Sequence, residues 1–193
     1  MKNPPSTAKG LIAELAELED SPLDPHQVAN LLSKADITSE NLRPLLHFRD
    51  DRYTRNLVYR SDTFDVIVLC WPPGTSTPVH DHGEQWGWVR VLEGALEEVR
   101  YSDEGQPEKL DETKKWSPKV HNRVVINAGK DVAAVNSMHG IHSLGTLDEP
   151  AISLHIYSKP LDSCLVFGGQ GGKIDRKQLA FDTTPKSRAK QPV

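Results

Sequence analysis

What the sequence holds little of narrows its place first. Only two cysteines occur in 193 residues, Cys70 and Cys164, and with no C-x-x-C pair they cannot form a disulfide framework. Both read as thiols of a reducing compartment. Long hydrophobic runs are missing too: Val66 to Trp71 and Val132 to Val135 are the longest, far short of the ~20 apolar residues that cross a bilayer. No apolar stretch follows Lys2 and no Arg-rich transit peptide is visible, so a cytoplasmic chain with no membrane partner is expected. Positive charge is not in surplus either. Lys and Arg total 23 against 27 Asp and Glu, a formal net charge of −4, which argues against a nucleic-acid partner. The one basic cluster, Lys186, Arg188 and Lys190, is flanked by proline and reads as a flexible tail of about 183–193.

What is present fits one domain over 1–193, with helices in about 6–48 and strands in about 50–168. Leu11, Ile12, Leu15 and Leu18 recur at helical spacing behind Ser6 or Thr7, predicting a helix over 7–19. Asp24-Pro25 opens a second over 25–34, and a third fits 38–47. Beyond Arg55 the period changes to short β-branched runs: Asn56 to Arg60, Phe64 to Trp71, Trp86 to Leu92, Ala95 to Tyr101, Arg123 to Asn127, Val132 to Asn136 and Ala151 to Tyr157. Breaks rich in Pro, Gly and Asp separate them, so a mainly β fold is expected, a small antiparallel β-barrel or jelly roll.

Within this pattern lies Gly74-Thr-Ser-Thr-Pro-Val-His80-Asp-His82. Histidines at i and i+2 on a strand share a face, so two imidazoles can converge on one ion. The run resembles the first motif of the cupin superfamily, with Gly74, His80, His82 and Gly94 at its positions. The motif's acidic ligand would fall at Gly87, which has no side chain, so the resemblance implies an all-histidine site. His139 and His142 are both candidates for the third ligand, and spacing alone does not choose between them.

Several pieces in order resemble the cysteine dioxygenase family: Tyr53-Thr54-Arg55-Asn56-Leu57-Val58, Leu69-Cys70-Trp71, Gly140-Ile141-His142-Ser143 and Ser153-Leu154-His155-Ile156-Tyr157-Ser158. The resemblance implies a cupin-type barrel holding one Fe(II) per chain on His80, His82 and His142, with His139 a neighbouring barrel or rim residue. It implies a small-molecule thiol and dioxygen as reaction partners, L-cysteine becoming cysteine sulfinic acid with both oxygen atoms on sulfur. Arg55 would then take the substrate carboxylate, a bidentate role that lysine cannot fill, with Tyr53 in support. Ser153, His155 and Tyr157 alternate on one strand, so a hydrogen-bond relay toward the Tyr157 hydroxyl is geometrically natural, and the resemblance implies a catalytic use for it. Animal members join this tyrosine to a cysteine by a thioether; the matching position here is Gly87, so that bond cannot form. Amine-free thiols such as 3-mercaptopropionate are the alternative substrates, their enzymes commonly carrying glutamine where Arg55 stands, and a non-catalytic metal-binding cupin is a further alternative. A monomer is expected.

Overall fold

The computed structural model describes residues 4–18, 23–83, 85–102, 104–106, 110–135, 140–169 and 171–185. Its helices begin where side chains satisfy their first amides. Thr7 accepts from the Gly10 N–H at 3.1 Å ahead of α1 (Ala8–Ala16), and Asp24 accepts from His26 and Gln27 at 2.9 and 2.8 Å ahead of α2 (Pro25–Lys34). Helices this short are marginal alone in water. Burial of Leu11, Leu15, Val28 and Leu32 against the barrel holds them, each side chain contributing roughly 1.5–3 kcal/mol. The helix expected over 38–47 is cut short: α3 spans only Ser39–Leu42 and a 3-10 turn follows over Arg43–Leu45. Pro44 is the cause, since it has no N–H to extend the α-helical ladder. No helix among the described residues is long and apolar enough to cross a membrane.

Eleven strands follow: β1 (Thr54–Arg60), β2 (Asp65–Trp71), β3 (Val79–His80), β4 (Gly87–Glu93), β5 (Ala95–Tyr101), β6 (Val120–Asn127), β7 (Ala133–Val135), β8 (His142–Gly145), β9 (Ala151–Tyr157), β10 (Ser163–Gly169) and β11 (Lys173–Gln178). They form two antiparallel sheets, ordered β1-β2-β9-β4-β7 and β11-β10-β3-β8-β5-β6. In β2, Val66, Val68 and Cys70 face the helices, whereas Ile67, Leu69 and Trp71 pack inward with Val89, Leu96 and Leu144. Since Val89 belongs to one sheet and Leu96 and Leu144 to the other, the sheets face each other across this inner core. The five-stranded sheet is therefore apolar on both faces, and β2 and β9 are buried along their whole length. Arg90 on β4 ties the layers together, donating to the carbonyls of Leu32 and Ala35 at the C-terminus of α2, at 3.0 and 2.6 Å.

Four strands, β3, β8, β10 and β11, were not among those expected, and the barrel runs past 168 through β11. The segment after it is pinned, with the Leu57 N–H donating to the Thr183 carbonyl at 2.9 Å, so chain assigned to a tail from 183 begins as a partner of β1. The basic residues Lys186, Arg188 and Lys190 lie outside the described residues, as do Asn136 and His139.

The turn from β4 to β5 depends on Gly94, at φ +70°, where a Cβ would collide with the Pro150 carbonyl and lie 3.1 Å from the Ala151 Cα. Gly94→Ala is expected to destabilise the fold by more than ~1 kcal/mol from its backbone angle alone, with the collision adding to that. Chemical denaturation measures it; an unchanged midpoint would contradict this account of the turn.

Candidate active site

Strand geometry delivers three imidazoles to one point inside the barrel. His80, on β3, is paired directly across the ladder with His142 on β8, and His82 follows two residues after His80. Ring centroids lie 5.0 Å apart for His80 and His82, 4.9 Å for His80 and His142, and 4.8 Å for His82 and His142. One nitrogen from each comes within 4.8 Å of the others.

The groups behind the rings decide which nitrogens are available. The His80 Nδ1–H donates to the Pro78 carbonyl at 2.9 Å, leaving Nε2 with its lone pair. His142 Nδ1 donates to Glu98 Oε1 at 2.8 Å, and the other carboxylate oxygen accepts from Arg100 Nε at 2.9 Å. His142 Nε2 and His82 Nδ1 are buried without any hydrogen-bond partner. Buried, unpartnered imidazole nitrogens in a group of three histidines whose ligand atoms lie within 4.8 Å of one another fit a metal ion, which takes lone pairs that protein donors do not reach. An all-nitrogen set suits iron, zinc, copper or nickel rather than magnesium or calcium.

Burial keeps these rings neutral. It holds His80 at about 4 and His155 at about 3, and drives His82 and His142 well below the ordinary value. Below about pH 6.5 the unfolded chain takes up protons that the metal-free fold refuses, so stability present above that pH is lost as pH falls toward about 3. The carboxyls of Glu98 and Asp81, raised by burial, act in the opposite sense, but these four imidazoles outnumber them. Metal-free protein is expected to melt progressively lower between about pH 7 and about pH 5. A constant Tm would contradict the neutral assignment.

Ser153, His155 and Tyr157 do share the inner face of β9. Ser153 Oγ lies 2.7 Å from His155 Nε2 and accepts from the indole N–H of Trp71 at 2.8 Å. Because an indole only donates, Ser153 Oγ keeps its own hydrogen and a second lone pair for the contact with His155 Nε2. The second link of the expected relay is not formed: no hydrogen bond joins His155 to Tyr157, whose rings stand 6.4 Å apart and near-parallel. That separation is close to the spacing of residues i and i+2 on a strand. Tyr157 instead approaches His82, with centroids 5.7 Å apart, and burial pushes its phenol up to about 12, so it stays protonated. A Cβ at Gly87 would lie 3.3 Å from Tyr157 Cε1 and 3.7 Å from His82 Nε2. Any side chain there would enter the site.

Arg55, on β1, is buried, yet its Nη2 has no partner. It lines a cavity of about 130 Å³ together with Tyr53, His80, Tyr157 and Cys164, next to a space of about 20 Å³ that His82, His142 and His155 help to line. The main cavity is small beside the ~300–1,000 Å³ of pockets for larger ligands. Tyr53 stacks on Trp71 at 4.8 Å. Cys164 is buried, and desolvation raises its thiol to about 11, so it is no ready nucleophile.

Glu98 and Trp71 were missed as site residues. Glu98 did leave a signal, because it shares the inward face of β5 with Leu96, where a charge needs a partner. Trp71 stands in the sequence only as part of the Leu69-Cys70-Trp71 run, and its indole N–H, donated to Ser153, is what brings it into the site.

Comparison with known proteins agrees with this geometry. The sequence model of the family described as "Cysteine dioxygenase type I" matches residues 2–170. Cysteine dioxygenase type 1 of Danio rerio is 28% identical over 181 residues, covering 92% of this chain and 87% of the relative. The Homo sapiens protein of the same name is 31% identical over 142 residues, 69% of this chain and 64% of its own length. Among solved structures, a Klebsiella pneumoniae protein with a double-stranded β-helix domain aligns over 72% of this chain and 95% of its own, at 14% identity and TM-score 0.47. A cupin superfamily protein of Desulfitobacterium hafniense aligns over 62% of this chain and 88% of its own, at 15% identity and TM-score 0.44. The chain thus belongs to the cysteine dioxygenase type I family.

Proposed function

We propose that the chain oxidises the thiol of free L-cysteine with dioxygen to cysteine sulfinic acid, at one Fe(II) held by His80, His82 and His142. The observation that carries this reading is a pair of unpartnered groups on adjoining spaces: buried imidazole nitrogens of His82 and His142 in the inner one and the buried guanidinium of Arg55 in the cavity next to it. A small molecule with a metal-seeking thiol and a carboxylate fills both.

Three neutral imidazoles leave the ion's positive charge uncancelled, which favours an anionic sulfur donor. Bound there, Fe(II) supplies the Lewis acidity that lowers the thiol pKa and the redox capacity for dioxygen chemistry. The chain's own residues orient and exclude. Arg55 offers charge-assisted hydrogen bonds to the carboxylate, and Tyr53 closes the wall beside it. Tyr157, protonated, presents a phenolic O–H toward bound substrate, while Trp71 and Ser153 fix the His155 ring at its side. The apolar walls from Leu69, Leu161 and Val166 keep bulk water from the reacting sulfur.

A second reading has its own observation. No acidic side chain lines the main cavity among the described residues, so nothing on the chain itself selects an amine. An amine-free thiol acid such as 3-mercaptopropionate would satisfy Arg55 equally. Product analysis under isotopically labelled dioxygen tests the main reading: cysteine sulfinic acid carrying label on both oxygens is expected. Disulfide as the sulfur product, with the label recovered in water or hydrogen peroxide and none on sulfur, would overturn it.

A further inference from the structure

The segment after β11 takes the free edge of β1, at the end of its sheet. Asp182 N–H donates to the Arg55 carbonyl at 2.8 Å, and Arg55 N–H donates back to Asp182 Oδ2 at 2.9 Å. Thr183 accepts from the Leu57 N–H through its carbonyl and donates through its hydroxyl to Asn56 Oδ1 at 3.0 Å. Upstream, Leu179 N–H donates to the Asp162 carbonyl at 2.8 Å, and the Leu179 side chain lines the main cavity. The segment lies beyond residue 170, where the family match ends.

Between these ties, the Phe181 ring meets two cations. Arg60 Cζ lies 5.0 Å and Arg55 Cζ 5.5 Å from its centroid. The Arg60 guanidinium is fully engaged, with both Asp65 oxygens at 2.7 Å and Asp162 at 2.7 Å. Arg55 is not: its Nη2 is buried and unpartnered. The acid nearest in sequence on the segment, Asp182, is committed to Arg52 and to the Arg55 backbone. An aromatic face attracts a guanidinium without neutralising it. A carboxylate in the place of Phe181 would hold the side chain equally well but cancel the charge that a substrate needs.

We propose that the Leu179 to Thr183 segment sets specificity in the substrate pocket, Leu179 forming part of its wall and Phe181, behind that lining, positioning the Arg55 guanidinium, still unneutralised, for a ligand carboxylate. This rests on the carboxylate role given to Arg55 above and extends it to the chain's C-terminal segment. Phe181→Leu keeps apolar bulk and removes the π face; Phe181→Tyr keeps both. The readouts are anaerobic calorimetry of L-cysteine and of cysteamine, which lacks the carboxylate, on the Fe(II)-loaded proteins, together with KM and kcat for L-cysteine.

Phe181→Leu is expected to weaken L-cysteine binding and raise its KM by roughly 3–30-fold. The same variant should leave kcat, Tm and cysteamine binding near wild type, and Phe181→Tyr should restore L-cysteine binding. Equal changes for the two thiols, no change for either, or a lowered Tm accompanying weaker binding of both would overturn the positioning role. The calorimetry separates this proposal from the proposed activity. Selective loss of L-cysteine binding in a protein whose wild type does not turn over would uphold the wall and refute the dioxygenase assignment.

Discussion

Replacing His142 by alanine is expected to strip the protein of its metal and to reduce thiol oxidation by more than ~100-fold. Loss of a group that merely supports a ligand already costs about 10–100-fold in affinity or activity, and His142 is itself one of the three convergent imidazoles. The variant also removes the partner of Glu98, leaving a buried carboxylate with Arg100 as its remaining hydrogen-bond partner, so some loss of stability accompanies the loss of metal. His80→Ala separates the two effects. Its ring is half-buried and tied only to a carbonyl, so metal should be lost with a smaller fall in Tm. Metal content after dialysis, measured beside thermal unfolding, checks both variants. His139→Ala, at the alternative position, should retain metal. Full occupancy in His142→Ala with loss in His139→Ala would reverse the ligand assignment.

Arg55→Ala carries the second large effect. A charge-assisted hydrogen bond to a buried ion contributes about 1.5–3 kcal/mol, so KM for L-cysteine should rise roughly 10–150-fold. Cysteamine, with no carboxylate, should be nearly indifferent to the change. Among the described residues no acid pairs with the Arg55 side chain, whose buried Nη2 is unpartnered, so its removal should orphan no internal acid and the fold should stand. The ratio of the two kcat/KM losses measures the carboxylate interaction. Equal losses would remove Arg55 from substrate recognition.

How much of this was legible depended on whether a pattern was local. The two-residue spacing of His80 and His82 suggests one strand face, yet β3 ends at His80 and His82 joins the site from the segment just after it, while on β9 the same rule does put Ser153, His155 and Tyr157 together. That β2 is buried on both faces follows from apolar residues at successive positions, whereas β9 alternates Ile152, Leu154 and Ile156 with Ser153, His155 and Tyr157 as a half-exposed strand would, and its polar face is buried in the site instead. Three of the unexpected strands lacked a local signature: β3 is two residues long behind Pro78, β8 is four residues ending in glycine, and β11 is mostly charged and exposed, whereas β10 did carry one in the apolar run Cys164 to Phe167. Their pairing is imposed by neighbours distant in sequence, as when β3 is clasped between β8 and β10.

Pro44 shows the converse, a local signal that was present and outweighed by the surrounding helical spacing. The relay to Tyr157 failed for a different reason. Sharing a face was correct, and Ser153 reaches His155, but the His155 and Tyr157 rings stand 6.4 Å apart, face toward face, with no hydrogen bond between them. Phe181 could not have been found locally at all. Its meaning comes from a segment more than a hundred residues away in sequence lying along β1, beyond any periodicity.

Oxygen consumption by the Fe(II)-loaded protein, with L-cysteine and 3-mercaptopropionate supplied separately, tests the central claim most directly. Stoichiometric uptake with L-cysteine, and cysteine sulfinic acid identified by mass, is the predicted result. Uptake with 3-mercaptopropionate alone would contradict L-cysteine as the substrate, and no uptake with either thiol, despite bound iron, would contradict the thiol dioxygenase assignment itself.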